Sequence, residues 1–157
     1  MQKRIAFVVG HENWGKSWTL QALKDICRSQ GRRVTIKNVE FLVREMSNDD
    51  RPAPFIEFMN KTRRPTIIAA LCPKFEKLNT DDPDKAIDET LQLLRERDYR
   101  LFFWVIAYRW GTPEKIAPRE IAEMRRYGTV RLFEGRRVES KARARLFRTF
   151  VADEVLA

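Results

Sequence analysis

The 157-residue chain predicts an α/β fold, a three-layer α/β/α arrangement with a mostly parallel sheet of about five strands. Three observations carry that expectation. Short apolar runs recur along the chain, RIAFVV at 4–9, TIIAALC at 66–72 and LFFWVIA at 101–107, as strands buried on both faces require. Between them, apolar residues return at helical spacing. Parallel neighbours need crossover connections, and intervening helices provide them.

Arg4 to Val9 is the first strand. Leu20, Leu23, Ile26 and Cys27 then mark a helix, which Gly31 stops. Alternation at Val34, Ile36 and Val39 predicts a single second strand over Arg33 to Phe41, near an edge. The turn formers of SNDDRPAP, 47–54, predict a mobile surface loop before a short helix at Phe55 to Thr62. Thr66 to Cys72 is a third strand, closed by Pro73. Ile87, Leu91 and Leu94 share one face of a helix over Asp84 to Arg97, and Leu101 to Ala107 is a fourth strand. Pro118 opens a helix that runs to Tyr127 and stops at Gly128. Thr129 to Phe133 is the fifth strand, and Arg137 to Leu156 is a closing amphipathic helix with Ala142, Leu146, Phe147, Phe150 and Val151 inward. The whole of 1–157 reads as one domain.

Composition narrows the function classes. With 43% hydrophobic and 34% charged residues the chain is globular rather than disordered. Its longest apolar run, 101–108, is far short of the roughly 20 residues of a membrane span, so no membrane partner is expected. The N-terminal apolar stretch ends at Gly10 and does not read as a signal peptide. Two cysteines and one histidine exclude a Cys/His zinc cluster. Read as reduced thiols, Cys27 and Cys72 suit a cytoplasmic location. A net charge of +9 attracts anions without choosing among nucleotides, nucleic acid and acidic proteins.

One segment carries chemistry. Gly10-His11-Glu12-Asn13-Trp14-Gly15-Lys16-Ser17 fits GxxxxGK[ST] at every fixed position, directly after the first strand and at the start of the first helix. Gly10 and Gly15 allow the torsions that turn successive amides inward, at a helix N-terminus that favours anions. Lys16, the candidate catalytic residue, can reach β- and γ-phosphate oxygens. Ser17 offers a hard oxygen to Mg²⁺. The residues expected to bind the nucleotide are Gly10, Glu12, Asn13, Trp14, Gly15, Lys16, Ser17 and Trp18, with Ser17 as the metal ligand.

Strand, loop and helix together resemble the P-loop NTPase superfamily over Arg4 to Cys27. Asn13 makes the loop GxxNxGKS, similar to that of many translation-factor-class GTPases. The rest of that pattern departs: Leu71-Cys72-Pro73-Lys74 holds no DxxG, and Tyr108-Arg109-Trp110-Gly111 holds no NKxD. The resemblance therefore implies ATP ahead of GTP, with Mg²⁺. P-loop enzymes usually set an aspartate at the end of an apolar strand, whereas 66–72 and 101–107 end without an acid. Asp49, Asp50, Glu40 and Glu76 are substitutes by position only.

Weaker signals surround the motif. His11 and Glu12 can act as general bases or simply face solvent, and Trp14 and Trp18 can stack on a base or pack as core. Between Arg119 and Arg148 ten basic residues stand against four acidic ones. This segment, 119–148, can meet nucleic acid or an acidic protein, supply arginines to a phosphoryl group, or form a solvated helix face. Arg109, after a strand, is a better site candidate than Arg63 and Arg64, before one. The expected function is nucleoside triphosphate binding with hydrolysis or phosphoryl transfer. The alternatives are a nucleotide-gated binding module with little turnover and a P-loop domain kept as an assembly part.

Overall fold

A computed structural model describes residues 2–157. Its sheet has seven strands in the order β2-β3-β4-β5-β1-β6-β7. These are β1 (Lys3–Val9), β2 (Arg28–Gln30), β3 (Arg33–Ile36), β4 (Val39–Arg44), β5 (Thr66–Leu71), β6 (Tyr99–Ile106) and β7 (Gly128–Phe133). Strands β4, β5, β1, β6 and β7 run parallel to one another. Helices α1 (Lys16–Ile26), α2 (Pro52–Lys61), α3 (Asp88–Glu96), α4 (Pro118–Arg125) and α5 (Ser140–Phe150) connect or cover them.

The expected count of five strands is corrected to seven, because the chain between α1 and β4 adds two antiparallel edge strands. Arg33 to Phe41 is not one strand. It breaks at Lys37 and Asn38, both left-handed at φ 52 and 63, the geometry of a two-residue hairpin turn. Gly31 likewise does not end α1, which stops at Ile26; it turns the chain from β2 to β3.

The central strands are buried on both faces. β5 has no exposed residue, and β1 and β6 are exposed only toward their starts. This burial explains their unbroken apolar sequences. Phe7 and Phe103 stack across β1 and β6 at 5.3 Å, while Trp104 stacks on Phe133 and meets Phe147 of α5.

Two further expectations fail for physical reasons. Residues 47–54 are not a free surface loop, since Ser47, Asn48 and Asp49 are buried and Pro52 already opens α2. Asn48 receives the Cys72 amide on Oδ1 at 2.8 Å and donates Nδ2 to the carbonyls of Cys72 and Lys85. One side-chain amide thus extends the pairing of β4 with β5 beyond their ends. In α5, Leu146 is 48% exposed rather than inward, and the inward face is Arg143, Ala144, Phe147 and Phe150. Among the described residues no helix is long and apolar enough to cross a membrane.

Candidate functional site

The segment between β1 and α1 lies at the carboxyl edge of the parallel strands, where β1 is flanked by β5 on one side and β6 on the other. Ligands of open α/β sheets bind at that edge. The loop is compact. The Trp14 amide donates to the His11 carbonyl at 3.1 Å, and the Gly10 amide anchors to Leu71 of β5.

Its conformation assigns the residue types. Asn13 and Gly15 are left-handed, at φ 65 and 93, and Gly15 is the last residue before α1. Gly10 does not share that torsion, so its expected role changes. A Cβ there would approach Trp14 Cβ at 3.2 Å and Lys16 Cγ at 3.4 Å, and the absence of one leaves room for the lysine stem. Gly15 gives α1 no side-chain cap, and no acid lies in its first turn. The first amides of α1 are thus left for another acceptor, at the end of the helix where the dipole favours negative charge.

Lys16 is buried, and its ammonium donates to the carbonyls of Gly10 at 2.7 Å and His11 at 2.9 Å. Burial pushes its pKa below the ordinary lysine value, against the pull of nearby carboxylates including Asp50 and Asp49. It lines a cavity of about 650 Å³ together with Asn13, Ser17, Trp18, Asp50, Trp110 and Arg143; Glu12, Trp14 and Gly15 border it as well. Trp18 and Trp110 are 69% and 54% exposed and give this mouth its apolar surface. Trp14 is buried and packs edge-on against His11 at 5.2 Å.

Neither a family model nor a curated protein matches the chain.

His11 turns to a second cavity of about 430 Å³, on the other side of Trp14. Its Nε2 meets the Glu120 carboxylate at 3.0 Å, and its Nδ1 faces Cys72 Sγ at 3.9 Å. Both ring nitrogens are thus engaged outside the cavity of Lys16. Glu120 also accepts the Ala117 amide, so this chain of contacts ties the loop to β5 and to the start of α4. Burial pushes the Cys72 thiol up to about 12. It is fully buried, which disfavours the thiolate.

The candidate acids separate on inspection. Asp50 is exposed and lines the same cavity as Ser17, although its carboxylate also accepts from Ser47. Asp49 is buried and holds Lys85 at 3.1 Å and Lys74 at 3.2 Å. Burial opposes its ionisation, and hydrogen bonds from the two lysines more than offset this, keeping its pKa below the usual carboxylate value. Glu40 pairs with Arg33 across the edge hairpin, and Glu76 is exposed in a short 3₁₀ turn. Among the described residues no three His, Cys, Asp or Glu side chains gather as a metal cage. Ser17 and Asp50 both border the cavity of Lys16.

The basic residues of 119–148 do not form one patch. Arg125 and Arg126 lie at the opposite edge of the sheet, Arg131 is paired with Glu154, Arg136 stacks on Tyr108 and Arg148 bonds the Ile26 carbonyl. Only Arg143 enters the cavity of Lys16. Its signal in the sequence is phase: it lies one turn before Phe147, on the face that also carries Phe150. Arg109 is at the expected strand end, but it borders the His11 cavity and pairs with Glu114.

Proposed function

We infer that the chain binds a nucleoside triphosphate, ATP ahead of GTP, by its phosphates together with Mg²⁺, and hydrolyses it or transfers its terminal phosphoryl group. A single observation carries this reading. The uncapped first turn of α1 and the buried ammonium of Lys16 border one concave cavity at the carboxyl edge of the sheet. That pairing of free amides with a desolvated cation is a site for anionic oxygens.

Lys16 would exchange its two carbonyl partners for phosphate oxygens and stabilise charge as it develops on the transferring group. Ser17 and Asp50 are the groups suited to hold Mg²⁺, which would neutralise phosphate charge there. Trp18 and Trp110 offer faces on which a base can stack, a contact that does not discriminate strongly among bases.

A second reading, a nucleotide-gated binding module with little turnover, is favoured by the end of β5. The residue there is the buried thiol Cys72 in place of an acid, and neighbouring Asp49 is committed to Lys74 and Lys85. Its partner would be nucleic acid or an acidic protein, although the basic residues of 119–148 are spread over more than one face. ATP labelled on its γ-phosphate separates the readings. Rapid phosphate release or transfer supports the enzyme, and stable binding without release supports the module. Failure of any nucleoside triphosphate with Mg²⁺ to raise the melting temperature sinks both, since a ligand of the native state must stabilise it.

A further inference from the structure

Among the described residues Arg143 is the one arginine buried by the fold. It is only 4% exposed, its Nε has no hydrogen-bond partner among the described residues, and its sole side-chain polar contact among them is a long one from Nη2 to the Gly15 carbonyl at 3.5 Å. No carboxylate among the described residues pairs with it, and burial alone shifts its pKa, downward. A guanidinium does not escape this cost by losing its proton. Buried charges are otherwise paired or ligated, because an isolated one forfeits its hydration without return.

The position of the group indicates what is missing. A Cβ built on Gly15 would lie 2.5 Å from Nη2 and 2.9 Å from Nη1, so the guanidinium lies against the residue that opens α1. Phe147, one turn further along α5, meets Trp104 of β6 and fixes the helix that presents it. Free helix amides and an unpaired guanidinium thus converge on the cavity that Lys16 lines.

We propose that Arg143 is a phosphate-binding residue, the second cation of the loop cavity, whose missing counter-ion is a phosphate of the bound polyphosphate. This rests on reading the cavity as a polyphosphate site. Because a guanidinium presents a planar fork of donors, it can span two phosphate oxygens where Lys16 offers a point charge. The closing helix α5 thereby becomes part of the ligand site, although it is remote in sequence from the glycine loop.

The test compares wild type, R143M and R143K by calorimetric titration with MgATP and with inorganic tripolyphosphate, and by thermal melting without ligand. R143M keeps the length of the stem and removes the charge. The expected result is roughly a tenfold to hundredfold loss of affinity in R143M, equal for both ligands, with an unliganded melting temperature at or above wild type. R143K should fall between the two, retaining charge without the fork. If R143M binds both ligands like wild type, the assignment is overturned. It is also overturned if R143M fails to fold or melts lower, since Arg143 then serves the fold, or if the loss is confined to ATP, since the contact is then to the base. Wild type that binds neither ligand removes the polyphosphate reading itself, a failure distinct from the others.

Discussion

The two edges of the sheet are both basic, and they use their cations in opposite ways. At the amino edge, Lys3, Arg95, Arg100, Arg125 and Arg126 border an open groove of about 730 Å³. Lys3 donates to the Arg97 carbonyl and rests on Tyr99, Arg95 donates to the Arg126 carbonyl, and Arg126 faces Glu123. Arg100, Arg125 and Arg126 are exposed to water. At the carboxyl edge, Lys16 and Arg143 are buried, with loop carbonyls for the one and almost nothing for the other. The larger groove therefore carries the weaker argument. The difference lies in desolvation, since the amino-edge cations stay in water while Lys16 and Arg143 are withdrawn from it.

The sharpest way to break this contrast is Lys16→Ala. It should weaken MgATP binding about a hundredfold, or ~3 kcal/mol, while leaving the unliganded melting temperature unchanged or higher, since a buried ammonium is lost. Titration calorimetry and thermal melting read the two effects separately. Gly15→Ala should come next, destabilising the chain by about 2 kcal/mol in urea, because the residue sits at φ 93 and its new methyl group would strike the Arg143 guanidinium. An unchanged midpoint would show that the loop is not held as described.

Asp49→Asn tests a charge whose desolvation is compensated. Its two lysines are partly exposed, so the expected loss at neutral pH is about 1 kcal/mol. The sign of the pH effect follows from a folded pKa below the unfolded one. Asp49 stabilises above its unfolded pKa of about 4, and that contribution disappears as pH falls through the folded value. Urea midpoints of wild type and Asp49→Asn should therefore converge in acid; a gap that persists there refutes the pairing. The smallest effect belongs to the amino edge. Arg125→Ala should move stability by no more than about 0.5 kcal/mol and MgATP affinity not measurably.

The order of strands and helices was legible wherever burial forces a continuous apolar run, as in β1, β5 and β6. The glycine loop was legible because its fixed residues are closely spaced in sequence. The edge hairpins were not. Lys37-Asn38 adopts left-handed torsions without the Asn-Gly or Asp-Gly pair that usually announces such a turn, and β2 is three exposed polar residues with no hydrophobic pattern. Asn48 looked like a loop residue because its two-sided bonding to Cys72 exists only once β4 and β5 are side by side. Arg143 was hidden for a related reason. Helical phase placed it one turn from Phe147, while its charge argued for solvent, and only the packing of α5 decides between the two.

That packing has a consequence for synthesis. Strand β1 and its loop are made before β5 and β6, the strands with which β1 pairs. Arg143, which lies over the loop, follows later still. A nascent chain halted before α5 would carry the complete glycine motif without the guanidinium that lies against Gly15. If the proposal for Arg143 holds, polyphosphate capture by such stalled chains should strengthen once α5 has emerged.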